Sequence, residues 1–252
     1  MVSIQTVENG IAMFQINRPE KMNAINFAVM NELDAFLNTI EANEQINYVV
    51  ITGSGDRAFC AGGDLAAFHQ IQTAKEAYPM LSRMAGLLYR LASLPVPVIA
   101  LVNGTAVGGG CEIASACDYR IVSAKAKAGF IQGTLAITTG WGGATQLFEK
   151  LQRPDKVMQL LSEAKIHTAN ELLQIGWASA VYEGDSKKGL AKFLEHMMTI
   201  HPNVHKTYKK LAIANWERAD VENRMLHEAQ ECARLWESDA HHEAVNRFIN
   251  KL

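Results

Sequence analysis

Several things are scarce in this chain of 252 residues, and each shortage removes a class of function. Net charge is nearly absent: 24 Lys and Arg against 26 Asp and Glu leave −2, too weak a field to grip nucleic acid without a local basic patch. Apolar stretches such as residues 49–51 and 96–102 fall far short of the roughly 20 residues a membrane helix needs. The first residues hold neither an early basic cluster nor the apolar centre of a secretory signal, so a cytoplasmic protein is expected. Its cysteines, Cys60, Cys111, Cys117 and Cys232, form no Cys-x-x-Cys pair and follow no zinc spacing, which favours reduced thiols over disulfides or metal ligands. The histidines show no metal spacing either, and adjacent His241 and His242 read as a solvated helix face. There is no Gly-x-Ser-x-Gly elbow and no glycine cluster leading to Gly-Lys-Ser/Thr, so serine-hydrolase and P-loop readings lack support. Gly53-x-Gly55 follows a strand, but the third glycine of a dinucleotide fingerprint would fall at Ala58, where no helix begins.

What is present is an ordinary folded composition, 48% hydrophobic and 20% charged, enough for one large domain with a sizeable core. Glycine is average in number, at 18, but clustered: Gly53 and Gly55, Gly62 and Gly63, Gly108 to Gly110, and Gly140, Gly142 and Gly143. Residues 2–7 and 11–16 flank Asn9-Gly10 and predict a β-hairpin. Phe27, Met30, Leu33, Leu37 and Ile40 predict a helix over 26–42 capped by Asn26. Strands are expected at 48–51, 98–102 and 119–122, with helices at 77–94 and 111–117 between them. This alternation of strand, glycine loop and helix argues an α/β architecture with its site on the loops. Beyond residue 146, helices are expected at 157–161, 169–175 and 190–198, with one strand at 178–182. A charged helical tail carrying Trp216, Leu226, Leu235, Trp236 and Phe248 packs either on its own core or on another subunit.

Two glycine loops carry a recognisable set of residues: Ala58-Phe59-Cys60-Ala61-Gly62-Gly63-Asp64-Leu65, and the run from Pro97 through Asn103-Gly104 to Gly108-Gly109-Gly110-Cys111-Glu112. With them go Asn17-Arg18-Pro19, Asn23-Ala24-Ile25, Ala116-Cys117-Asp118-Tyr119-Arg120-Ile121, Gly142-Gly143 with Thr145 and Leu147, and Asp239 with Glu243-Ala244-Val245 and Arg247-Phe248. In these motifs, spread in order over nearly the whole chain, the sequence closely resembles the crotonase (enoyl-CoA hydratase/isomerase) family. The resemblance implies an α/β spiral of ββα repeats over 1–195 and a C-terminal helical trimerisation segment over 196–252.

By the same resemblance the substrate is an acyl-CoA thioester. Its carbonyl would be held by two backbone N–H groups, assigned to Ala61 and Gly109, and Glu112 would be a catalytic acid/base. Loops rich in glycine suit this, because a backbone N–H without a neighbouring Cβ can approach a ligand and the following helix adds partial positive charge. Ala24, Ile25, Cys60, Gly62, Gly63, Asp64, Leu65, Gly108, Thr139, Gly140 and Trp141 would line the substrate site, with Asp64 tying down the first loop. Phe248 and Lys251 would come from a neighbouring subunit of a trimer, or of a hexamer built from two trimers. Arg18, Lys21 and Lys251 are candidates for the CoA phosphates, each alternatively a solvated surface charge. No cofactor beyond coenzyme A as part of the substrate is expected, and no nucleic-acid or membrane partner.

One departure bears on the reaction. Hydratases of the family place a second glutamate, in a Pro-Glu pair, eight residues before the position of Gly140. Here that position is Gln132, preceded by Ile131, and no Asp, Glu or His occurs anywhere from Tyr119 through Phe148. An amide orients groups but exchanges no proton at neutral pH, so hydration with two carboxylates is expected to be slow. Chemistry with one acid or base is favoured instead: isomerisation, or, as the Trp141-Gly142-Gly143 run also suggests, short-chain acyl-CoA decarboxylation. A catalytically weakened acyl-CoA-binding subunit is the reading from another class. Thr134, Thr138 and Thr139 predict a more polar acyl pocket than a plain fatty chain requires.

Overall fold

The chain enters through the Asn9-Gly10 turn, where both residues have positive φ (51° and 75°), the twist a two-residue hairpin needs. In this computed structural model, which describes residues 1–249, the turn joins β1 (Ser3–Glu8) to β2 (Ile11–Ile16) in antiparallel register. Helix α1 (Phe27–Glu41) starts where expected, the Asn26 side chain accepting a hydrogen bond from Val29 N–H at 3.0 Å.

Three successive units then place one strand in each of two sheets before a helix follows. The first is β3 (Tyr48–Gly53), β4 (Ala58–Cys60), the short α2 (Leu65–Phe68) and the long α3 (Ala74–Ala92). The second is β5 (Val98–Val102), β6 (Thr105–Val107) and α4 (Gly109–Ala116). The third is β7 (Tyr119–Ser123), β8 (Lys127–Gly129), a 3-10 turn (Gln132–Leu135) and α5 (Gly143–Lys150). Helix α6 (Pro154–Glu163), β9 (His167–Thr168), α7 (Ala169–Ile175), β10 (Ala180–Tyr182) and α8 (Ser186–Leu194) complete the spiral. The larger sheet runs β1-β2-β3-β5-β7-β10, parallel from β2 onward, and the smaller runs β4-β6-β8-β9. Strands β3 and β5 are buried throughout, which is why they read as continuous apolar runs rather than alternating ones.

Two asparagines hold the crossing from the first sheet to the second. Asn103 accepts from Gly53 N–H (3.1 Å) and donates to the carbonyls of Gly53 (2.9 Å) and Gly55 (2.7 Å), while Asn23 donates to Ala58 O at 2.7 Å. Lys150, at the end of α5, donates to the carbonyls of Ser115 and Ala116 at 2.8 Å each, and of Cys117 at 3.1 Å, closing the free end of α4. Those two helices are thereby locked together on either side of the glycine loops.

Some sequence expectations shift. Helix α3 begins at Ala74 because Thr73 and Glu76 form a reciprocal capping box, and Pro79 sits within it. The helix expected at 190–198 is α8, begun by an Asp185 cap on Lys188 N–H, followed by a separate 3-10 turn at Met197–Thr199. In the tail, α9 (Pro202–Arg218) leads to α10 (Val221–Trp236) and α11 (Asp239–Ile249). Helix α10 packs along α3 of its own chain, burying Met225, Ala229, Cys232 and Trp236, and Trp236 donates its indole N–H to Ile71 O at 2.9 Å. No helix among the described residues is long and apolar enough to cross a membrane.

Asn103→Ala should leave Gly53 N–H and two carbonyls without their partner, at a cost of about 1–3 kcal/mol of stability, read as a lower urea midpoint at unchanged m-value.

Candidate active site

Both glycine loops, the Gln132–Leu135 turn and the Gly140-Trp141 segment that leads into α5 open onto one cavity of about 480 Å³. The loops meet there because nothing but hydrogen separates them: a methyl on Gly62 would lie 3.1 Å from Gly109 N, and one on Gly110 would collide with Cys60 O. Cys60 itself is in the core, with a thiol that burial pushes up to about 12, and it accepts from Gly62 N–H at 3.4 Å. Trp141 lies across the junction, its ring against Gly109 and 3.7 Å from where a Gly63 Cβ would be.

The two N–H groups expected to face the substrate differ in availability. Ala61 N–H donates to Met22 O at 3.0 Å and is therefore engaged within the chain. Gly63 and Gly109 N–H, by contrast, have no acceptor among the described residues, and both glycines line the cavity. Gly109 opens α4, where an unpaired N–H is the rule. Ala61 is accordingly not free to donate to a ligand, and the N–H left available on this loop is that of Gly63, two residues on. Ile25 also departs from a lining role: its side chain is in the core, while its N–H donates to Gly62 O and its carbonyl accepts from Asp64 N–H, both at 2.8 Å. It braces the loop instead.

Glu112 is buried (2% exposed) one turn into α4 and is surrounded by donors. Oε2 accepts from Trp141 N–H (2.8 Å) and Gly143 N–H (2.9 Å); Oε1 accepts from Gln132 Nε2 (2.9 Å) and, at 3.4 Å, from Gly140 N–H. Burial first, and then the nearby Glu228 carboxylate, push its pKa up to about 8 against the opposing effect of those N–H groups. Gln132 is buried beside it, with Oε1 left without a hydrogen-bond partner among the described residues. An acceptor so placed is suited to a donor on a bound molecule.

The cavity also takes in Ala24, Asp64, Leu65, Gly108, Gly140 and Phe248, as expected, together with Lys21, Thr134 and Thr138. Asp64 caps α2 through Ala66 N–H and binds Arg18 Nη2 at 2.8 Å. Burial works to raise its pKa, but Arg18 and the N–H groups outweigh this and leave it lowered. Arg18 also donates to Ala24 O at 2.7 Å, so both of its terminal nitrogens brace the loop.

Three further expectations are corrected. Thr139 turns away from the cavity and donates to Glu228 Oε1 at 2.6 Å. Phe248 reaches the cavity from α11 of its own chain rather than from a neighbour, because His241 on the same helix is held against Leu135 O, 2.7 Å from Nδ1. His241 is in consequence 2% exposed and part of the cavity wall, not a solvated face, and burial lowers its pKa. Lys251 lies outside the described residues. Glu228 was not legible as a site residue; its signal is a charge on the otherwise apolar seam of Met225, Ala229 and Cys232. Among the described residues no cluster of three His, Cys, Asp or Glu is placed to hold a metal ion.

Comparison with known proteins gives a family model described as enoyl-CoA hydratase/isomerase that matches residues 6–252. The chain is 32% identical over 249 residues to a short-chain-enoyl-CoA hydratase of Clostridium acetobutylicum, covering 97% of this chain and 93% of the relative. It is 28% identical over 238 residues to an ethylmalonyl-CoA decarboxylase of Xenopus tropicalis, covering 93% and 79%. In fold it is similar to an enoyl-CoA hydratase from Bacillus halodurans, with a TM-score of 0.88 at 19% identity over 98% of this chain and 100% of that one.

Gly109→Ala should drive a methyl into the Trp141 ring and cost about 1–3 kcal/mol through overpacking, measured by urea unfolding. The double variant with Trp141→Leu, which vacates the ring, should recover part of that loss, as a double-mutant cycle would show.

Proposed function

The chain belongs to the enoyl-CoA hydratase/isomerase family, and on that premise we propose that it moves a single proton on the enolate of an acyl-CoA thioester, with Glu112 as the acid/base. The observation that carries this reading is the pairing of carboxylates with their partners. Of the two that reach the cavity among the described residues, Asp64 is committed to Arg18 and the α2 cap, which leaves Glu112 to exchange protons. Gln132 hydrogen-bonds Glu112 but carries no proton to give. The Gly63 and Gly109 N–H groups would hold the thioester oxygen as it gains charge, each worth about 2.7–4 kcal/mol in the transition state. A pKa of about 8 keeps Glu112 protonated near neutrality, ready to protonate a carbanion, and makes it a base above that pH. Coenzyme A enters as part of the substrate, with Lys21 at the cavity as the candidate for its phosphates. No further cofactor has a role in this reading. Assembly into trimers or paired trimers goes with it, supported by the exposed Val204, Tyr208 and Leu211 on α9.

A second reading, decarboxylation, is favoured by the uncharged centre of the cavity. With Gln132 neutral and Glu112 protonated, a substrate carboxylate beside them meets no like charge. Loss of CO₂ would break the bond from Cα to the carboxylate and leave its electron pair in the thioester enolate. The Glu112 proton would then complete the product.

An acyl-CoA panel in D₂O separates these outcomes. Exchange or isomerisation at the α-carbon is expected, lost about 10²–10⁴-fold in Glu112→Gln. Its base-dependent limb should rise through about pH 8. CO₂ release from an alkylmalonyl-CoA would select the second reading. Brisk hydration of crotonyl-CoA would overturn the one-carboxylate mechanism, and tight CoA binding without turnover would leave a binding subunit.

A further inference from the structure

Glu228 stands outside the cavity lining and has no part in the chemistry above, yet it is the most heavily hydrogen-bonded side chain near Glu112. It is carried by α10, a helix distant in sequence, on the face that packs against the core. Oε1 accepts from Thr139 Oγ1 (2.6 Å) and Ala144 N–H (3.1 Å), and Oε2 from Thr145 N–H (2.8 Å) and Thr145 Oγ1 (2.7 Å). Ala144 and Thr145 lie in the first turn of α5, whose N-cap is Gly142, a residue without a side chain to cap it. Glu228 supplies that cap from another helix. The preceding N–H, that of Gly143, goes to Glu112. One short turn, residues 139–145, is thus held between two carboxylates, one of which is the proposed acid/base.

We propose that Glu228 is a positioning residue that holds this turn in place for Glu112 and, through its own charge, sets the protonation state in which Glu112 waits. The proposal rests on the reading of Glu112 as the acid/base. Glu228 is the more exposed of the two and has two hydroxyl and two N–H donors at a helix N-terminus, conditions that favour its ionised form. Glu112, the more enclosed of the two, is raised by its own burial and by the Glu228 carboxylate. Burial raises both carboxylates. Of the other ionisable groups around them, Arg224 on α10 is paired with Glu149 on α5. The Cys111 and Cys232 thiols are raised far above neutrality by burial, Asp64 is paired with Arg18, and Lys21 and His241 line other parts of the cavity wall.

The test compares pH profiles of Glu112-dependent exchange in Glu228→Gln, Glu228→Asp and Thr145→Val. Removing a like charge eases ionisation of Glu112, so Glu228→Gln should move the profile's midpoint down by about one pH unit, with KM changed less than about twofold. Glu228→Asp, which keeps the charge, should leave the midpoint near that of the unmutated protein, and Thr145→Val should lower the melting temperature without moving the midpoint. A midpoint in Glu228→Gln equal to that of the unmutated protein, with only stability lost, overturns the proposal and leaves a plain helix cap. If Glu228→Gln does not fold, ¹³Cδ-glutamate NMR of the unmutated protein decides. Coupled two-step titration of Glu112 and Glu228 supports the proposal, and two independent curves overturn it. Because NMR needs no turnover, it also separates the two ideas: retained exchange in Glu112→Gln with coupled titration would sink the catalytic reading and spare the positioning one.

Discussion

The Glu112 carboxylate joins the parts of the molecule that must meet at the cavity. Its own helix follows the second glycine loop, its partners Trp141 and Gly143 precede and open α5, and Gln132 comes from the turn between them. A buried carboxylate left without donors would cost several kcal/mol, so the 140–143 turn cannot relax away from α4 without exposing that penalty. Lys150 fastens the opposite end, where the carbonyls of α4 would otherwise be free. The two helices are held at both ends by a side chain meeting backbone groups, a carboxyl that accepts from N–H groups at one and an amine that donates to carbonyls at the other. Lys150 bears this at the expense of its own basicity, since burial lowers its pKa to about 7.

The glycine loops depend on this arrangement. Trp141 is carried on the turn that Glu112 holds, and its ring occupies the space a side chain at Gly109 would take. The N–H groups of Gly63 and Gly109 therefore border a cavity with an aromatic wall. A hydrogen bond in such a place is stronger than in water, and an unpaired one is costlier. Both N–H groups and Gln132 Oε1 are left without partners among the described residues, a concentration of unsatisfied polar groups that a core without function rarely keeps.

Much of the framework was legible beforehand. The hairpin at Asn9-Gly10, the Asn26 cap and the buried strands β3 and β5 follow from turn chemistry, capping and apolar patterning acting over a few residues. The clustered glycines marked where backbone would approach backbone, and the acid-free stretch from Tyr119 to Phe148 showed that Gln132 had no carboxylate neighbour within that stretch. The shortfall lay in partners. Ala61 is not free as a donor because Met22, remote in sequence, claims its N–H, and Thr139 was misplaced because its hydroxyl turns to Glu228.

The sequence by itself determined which residue types were on hand: strands and helices of the right period, backbone free of side chains at two loops, and one acid where two were expected. Those properties belong to single residues and near neighbours. Tertiary structure alone decided which groups remained free, since a hydrogen-bond donor is available only if nothing nearby has taken it. It also brought Glu228 against the turn that holds Glu112, and buried His241 in the cavity wall. Charge interacts through space rather than along the chain, so the environment of the central acid became visible only after α10 had folded back along α3.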